Sequence, residues 1–154
     1  MRSQFDIIIH LDCFRNIDVF LQGLYYLQIK ISNDAVPYEF NSNLSSKKFH
    51  NLYPAQILGD TYATKIFLLK YAEEIVKISE YVVFRVELDT SHKDQTLEMT
   101  FELMFTDLNG DLSVSSVNSY LNSPLEPLFK KVGESTFYIT SFQSGTSQVI
   151  FVTF

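Results

Sequence analysis

The stretch Leu97-Glu98-Met99-Thr100-Phe101-Glu102-Leu103-Met104-Phe105 decides how this chain folds. Laid out as a strand, it puts Leu97, Met99, Phe101, Leu103 and Phe105 on one face and Glu98, Thr100, Glu102 and Met104 on the other. The same period of two runs through residues 81–88, where Val82, Phe84, Val86 and Leu88 oppose Tyr81, Val83, Arg85 and Glu87. One-sided alternation of this kind belongs to antiparallel sheets with one wet face, not to parallel strands buried on both sides.

Working outward, residues 5–12 alternate Phe5, Ile7, Ile9 and Leu11 against Asp6, Ile8, His10 and Asp12. Residues 24–32 direct Tyr25, Leu27, Ile29 and Ile31 inward and Gln28, Lys30 and Ser32 outward. Val36, Tyr38 and Phe40 form a shorter run, and Pro37 assigns it to a sheet edge because proline donates no ladder hydrogen bond. Residues 135–142 and 148–154 read as two neighbouring strands joined by Gln143-Ser144-Gly145-Thr146-Ser147, a connection that suits a hairpin. Residues 61–79 leave two readings open. Tyr62, Ile66, Leu69 and Val76 also fit helical spacing, with Asp60 as a cap, while the Ile66-Phe67-Leu68-Leu69 run favours a strand over residues 65–71. Val114, Val117 and Leu121 predict a short helix over residues 113–121, ended by Pro124 and crossing between strands. Residues 41–48 and 89–95 read as loops. The expected fold is all-β, an antiparallel two-layer β-sandwich of seven to eight strands with one short crossover helix, in a single domain over residues 1–154.

Composition narrows the function classes. The 154 residues are 46% hydrophobic, which suits one globular domain rather than a disordered chain. A net charge of −6 offers no basic field for a phosphate backbone, so nucleic-acid binding is not expected. The longest apolar runs, such as Tyr81-Val82-Val83-Phe84, fall far short of the roughly 20 residues of a membrane helix. Met1-Arg2-Ser3-Gln4-Phe5-Asp6 reaches an acidic residue before any apolar run, so no secretory signal and a cytoplasmic location are expected. With entry to the secretory pathway unexpected, Asn43-Leu44-Ser45 carries no weight as a glycosylation acceptor. Cys13 is the only cysteine, which excludes an internal disulfide.

Catalytic and metal chemistry is mostly missing. A serine hydrolase of the α/β type needs a Gly-x-Ser-x-Gly elbow, whose small flanking residues let a strained turn expose the serine. The nearest string, Gly133-Glu134-Ser135-Thr136-Phe137, has phenylalanine in place of the second glycine, so Ser135 reads as a solvated serine at a strand start. Cys13 falls just past a strand and reads as inert rather than as a nucleophile served by a histidine. His10 lies on the less apolar face of the first strand, and His50 and His92 fall in loops, with no second histidine at a ligand spacing. Asp107-Leu108-Asn109-Gly110-Asp111 gathers oxygen ligands as half of a calcium loop does, and Asp89, Asp94 and Glu98 could add others. The favoured alternative is a chain reversal, since Asn-Gly tolerates positive φ. Glu73-Glu74 reads as solvated charge because adjacent side chains diverge, and Lys47-Lys48 and Lys130-Lys131 read as wet surface with a weak anionic-lipid contact as the alternative. No catalytic, cofactor-binding or metal-binding residue is assigned, and no cofactor is expected.

The string Asn16-Ile17-Asp18-Val19-Phe20-Leu21-Gln22-Gly23-Leu24-Tyr25-Tyr26 resembles the start of the family-with-sequence-similarity-135 proteins, a serine-esterase-like and lipase-like family. Three further stretches agree in order: Ile66-Phe67 with Tyr71 and Glu73-Glu74, then Val82-Val83-Phe84-Arg85-Val86, then Met99-Thr100-Phe101-Glu102-Leu103 into Phe105-Thr106-Asp107. The resembling part is that family's N-terminal domain of unknown function, and its esterase sits in a separate α/β-hydrolase domain, so no catalytic residue carries over. The signature Asn16, Asp18, Phe20, Gly23 and Tyr25 carries over structurally. Gly23 is expected to give a tight turn, Phe20 to plug the core and Asp18 to bond the loop backbone. The resemblance also implies a C2-like sandwich.

Because the sequence stops at Phe154 inside an expected strand, an open apolar edge over residues 149–154 is expected to pair with another chain. The expected function is a non-catalytic binding or regulatory module that docks a protein or membrane surface. The alternative is part of an ester hydrolase whose hydrolase domain is absent from this chain.

Overall fold

The computed structural model describes residues 2–15, 21–32, 36–39, 56–58, 61–70, 75–89, 96–107, 129–139 and 152–154. Among these residues are nine strands: β1 (Arg2–Arg15), β2 (Gly23–Ile31), β3 (Val36–Glu39), β4 (Gln56–Leu58), β5 (Thr61–Ala63), β6 (Phe67–Leu69), β7 (Ile75–Asp89), β8 (Leu97–Thr106) and β9 (Lys130–Ile139). They pair antiparallel into a three-stranded sheet, β1-β7-β3, and a six-stranded sheet, β4-β5-β2-β8-β9 with β6 also on β2.

The inward faces pack on each other, as the alternation predicts. Val82, Phe84, Val86 and Leu88 of β7 join Tyr25, Leu27, Ile29 and Ile31 of β2 and Leu97, Met99, Phe101, Leu103 and Phe105 of β8 in one buried cluster. Phe5, Ile7, Ile9 and Leu11 of β1 cover its margin. The sandwich is therefore closed by aliphatic and aromatic surface from both layers, which supplies most of its stabilisation. Among the described strands, β3 pairs only with β7, the edge position that Pro37 implies.

Several boundaries differ from the sequence reading. Residues 61–70 hold two short strands, β5 and β6, and no helix, while Tyr71 lies outside the described residues, and β7 begins at Ile75 rather than near Tyr81. Asp89 belongs to β7 instead of a loop. No helix is present among the described residues, and the helix expected over residues 113–121, like the loop over 41–48, lies outside them. Of the last expected strand, residues 148–151 also lie outside the described residues. Residues 152–154 are not in a strand, and Val152 and Phe154 pack against the core margin. There the Phe154 ring lies tilted against Phe14, centroids 6.3 Å apart, and its Cβ lies 2.8 Å from where a side chain on Gly133 would begin.

Two irregularities face each other across the sandwich. On β7, Ile78 and Ser79 stand opposite Asp12 alone, between the pairs Leu11–Glu80 and Cys13–Lys77, and Ser79 adopts φ 50°. A bulge with its residue in the left-handed region shifts the face pattern, so Phe14 and Val76 both reach the core beyond it. On the other sheet Thr64, Lys65 and Ile66 stand opposite Tyr26 and Leu27, because β5 pairs with residues 28–30 and β6 with residues 23–25.

Candidate functional site

The outer face of the six-stranded sheet carries a polar hollow. Gln28 and Lys30 alternate with inward Leu27, Ile29 and Ile31, so they point away from the core. The register places Gln28 opposite Glu102, and Lys30 between Thr100 and Thr61. These five side chains, from β2, β5 and β8, line a shallow hollow of about 270 Å³.

Its rim is ordered by charge. Lys131 of β9 donates to Glu102 at 3.0 Å and also bonds Glu134. Those contacts raise the pKa of Lys131, while the ammonium lowers that of Glu134. Gln28 donates to the Tyr26 hydroxyl at 3.3 Å, and Phe129 packs edge-on against the Tyr26 ring with centroids 4.9 Å apart. An amide, an ammonium group, two hydroxyls and a carboxylate can exchange hydrogen bonds with a polar surface. None of the five is a nucleophile paired with a general base.

Among the described residues, the interior holds an ionisable pair, Tyr62 and Glu80. Glu80, 8% exposed, accepts a 2.6 Å hydrogen bond from the Tyr62 hydroxyl across the sandwich. It also accepts from the Lys65 backbone N–H, 3.1 Å from Oε1 and 3.4 Å from Oε2. Burial raises the pKa of Glu80, opposed by the bonds from Tyr62 and Lys65 and by the Lys65 charge. Burial, reinforced by the Glu80 charge, also raises the Tyr62 phenol. The sequence reading passed over this pair, although extending the Val82–Leu88 face back by two residues places Glu80 on the core side.

The residues singled out from sequence do not converge. His10 stacks flat on Tyr81, centroids 4.1 Å apart, on the outer face of the three-stranded sheet. Beside it are the facing pairs Ile8–Val83, Asp6–Arg85 and Gln4–Glu87, the last two joined by polar contacts of 3.1 and 3.2 Å. Cys13 lies within β1, not past it, because the bulge lets the strand continue to Arg15. Its sulfur accepts from Arg15 Nε at 3.2 Å and donates to Asp12 at 3.5 Å. Ser135 sits on β9 opposite Phe101.

Asp107 is exposed just past β8, and Glu98 lies on the outer side of β8, its backbone N–H donating to the Ser32 hydroxyl at 2.8 Å. Lys130 lies over the Phe105 ring at 5.7 Å. His50, His92, Asp94, Glu73, Glu74, Lys47, Lys48 and residues 108–111 lie outside the described residues. Among the described residues, no three His, Cys, Asp or Glu side chains come together as a metal site.

Of the signature residues, Asn16, Asp18 and Phe20 also lie outside the described residues. Tyr25 is buried and donates to the Leu21 carbonyl at 2.6 Å. Gly23 is a close approach and not the expected turn: it is the first residue of β2, and a Cβ there would lie 2.5 Å from the Thr106 carbonyl oxygen and 2.6 Å from the Phe105 ring.

No family model and no solved structure matches this chain. Among the described residues, no helix is long and apolar enough to cross a membrane.

Proposed function

We propose that this chain is a non-catalytic binding or regulatory module, of the kind resembling the N-terminal domain of the family-with-sequence-similarity-135 proteins, working in the cytoplasm. Its recognition surface is the outer face of the six-stranded sheet. The observation that carries this reading is the hollow lined by Gln28, Lys30, Thr61, Thr100 and Glu102. Both charge signs and several donors and acceptors lie side by side there, which suits a polar protein surface better than the acyl interior of a bilayer. The buried Tyr62–Glu80 pair is committed to joining the two sheets, so it supports no chemistry. The packing of Val152 and Phe154 against the core margin argues against pairing through the last residues as the mode of association.

A photo-crosslinker at Thr100 tests the reading in cell extract, alongside sedimentation with anionic vesicles with and without calcium. A discrete crosslinked protein that disappears when Lys30→Glu reverses one charge, with no vesicle binding, is expected. Crosslinks indifferent to Lys30→Glu, or calcium-dependent vesicle binding, contradict it; the latter moves recognition to the oxygen-rich sequence Asp107-Leu108-Asn109-Gly110-Asp111.

A further inference from the structure

At one end of the six-stranded sheet, Ser32, Glu98 and Tyr138 form a single rung on the outer face. Glu98 pairs with Tyr138 of β9, and on its other side Ser32 follows the last residue of β2. The backbone of Glu98 is fixed at both of its polar groups. Its N–H donates to the Ser32 hydroxyl at 2.8 Å, and its carbonyl accepts from the Ser32 N–H at 2.8 Å. Tyr138 is fixed as well, because Phe137 and Ile139 on either side of it pack against the core. Cross-strand neighbours bring their Cβ atoms to about 4.5–5.5 Å. An exposed carboxylate and a tyrosine ring that is 55% exposed are therefore held side by side on a rigid base.

Elsewhere on the two outer faces, carboxylates and rings are met from within the chain. Arg85 meets Asp6 at 3.1 Å, Lys131 meets both Glu102 and Glu134, and the Gln4 amide donates to Glu87 at 3.2 Å. The Tyr81 ring is covered by His10. Among the described residues, no cation pairs with Glu98, and neither a ring nor a cation covers Tyr138.

We propose that Glu98 and Tyr138 form a binding site for an arginine side chain of the partner protein. The proposal rests on the reading of this outer face as the recognition surface, and it names the chemistry that the surface takes. A guanidinium supplies both contacts at once: its flat face lies on the phenol ring while its N–H groups donate to the carboxylate. A lysine ammonium matches the carboxylate but has no plane to stack. Charge favours a cationic partner, since Glu98, Glu102 and Glu134 outnumber Lys30 and Lys131 at the outward positions of β2, β8 and β9, and the whole chain carries −6. Glu98, Thr100 and Glu102 follow one another on the outer side of β8, so an arginine seated at Glu98 lays the neighbouring partner residues over the hollow.

Titration of the intact chain with a capped Gly-Ser-Arg-Ser-Gly peptide at low ionic strength, followed by the ring signals of Tyr138 in nuclear magnetic resonance, tests the site. Those signals are expected to shift saturably in the millimolar range, while the signals of Tyr81 stay in place. The citrulline and lysine counterparts lose the charge and the flat cation respectively, and each is expected to bind about two- to fivefold more weakly. Glu98→Gln is expected to weaken the arginine peptide by a similar factor, as is Tyr138→Leu, read at the Glu98 amide. No saturable shift at Tyr138, an equal shift at Tyr81, equal binding of either counterpart, or indifference to Glu98→Gln overturns the proposal. A Lys30-dependent crosslink from Thr100 that survives such a result leaves the wider surface reading in place. Peptide binding with no such crosslink sustains the arginine site and removes the hollow as its continuation.

Discussion

The Tyr62 hydroxyl of β5 donates a 2.6 Å hydrogen bond to the Glu80 carboxylate of β7, so a polar link joins the two sheets beside the apolar cluster of the core. Both partners lie on inward faces and each satisfies the other, which is how a buried carboxylate is tolerated.

Removing one partner isolates the other. Tyr62→Phe is expected to lower unfolding stability by about 1–3 kcal/mol at neutral pH, read by urea denaturation. The pH dependence has a definite sign. Glu80 has a folded-state pKa above its ordinary value, so its contribution is fully present below the ordinary carboxyl range and is lost as pH rises through the raised pKa. Stability of the wild type relative to Glu80→Gln is therefore expected to increase on acidification from pH 7 toward pH 4.5.

The buried phenols predict an alkaline limit. Burial, with Asp107 adding to it, pushes Tyr25 up to about 12, and burial beside Glu80 raises Tyr62 further. Both groups are protonated when folded and ionise near 10 when unfolded, so their contribution is present below pH 10 and is lost as pH rises toward 12. Ultraviolet titration is expected to show Tyr25 and Tyr62 ionising only with unfolding.

At Gly23 the backbone of β8 comes too close for a side chain. Gly23→Ala places a methyl group against the Thr106 carbonyl oxygen and the Phe105 ring, and is expected to cost about 1–3 kcal/mol. Thermal unfolding checks this, and an unchanged midpoint contradicts the close approach.

Phe84 and Phe101 lie on facing strands of the core and are 0% and 4% exposed. Either residue changed to alanine is expected to cost about 3–5 kcal/mol through lost burial and a residual cavity. Denaturant midpoints that fall with an unchanged slope would locate the loss in the folded core.

Much of this fold could be read from alternation alone. Wherever one side of a strand is wet, as in β8, side-chain chemistry reports the face directly, and the inward sets of β2, β7 and β8 are those observed. The reading failed where the ladder breaks step. The bulge at Ser79 changes which face of β1 is inward between Leu11 and Phe14, so the pattern seemed to end at Asp12 and Cys13 was placed outside the strand. The split between β5 and β6 was hidden for a related reason, since it depends on Glu80 from the other sheet and not on any local turn signal. The outer hollow was legible only in its parts: Gln28, Lys30, Thr100 and Glu102 were all read as outward, but which of them are neighbours follows from the β2–β8 register. Ser135, the one residue that an esterase reading could invoke, lies in a regular ladder position opposite Phe101.

The central claim is that this sandwich recognises a surface without transforming it, and hydrolysis of a short-chain aryl ester by the purified chain tests it most directly. The account predicts release at the buffer rate, identical for wild type and Ser135→Ala. Saturable turnover by the wild type would contradict it, most sharply if Ser135→Ala abolished that turnover.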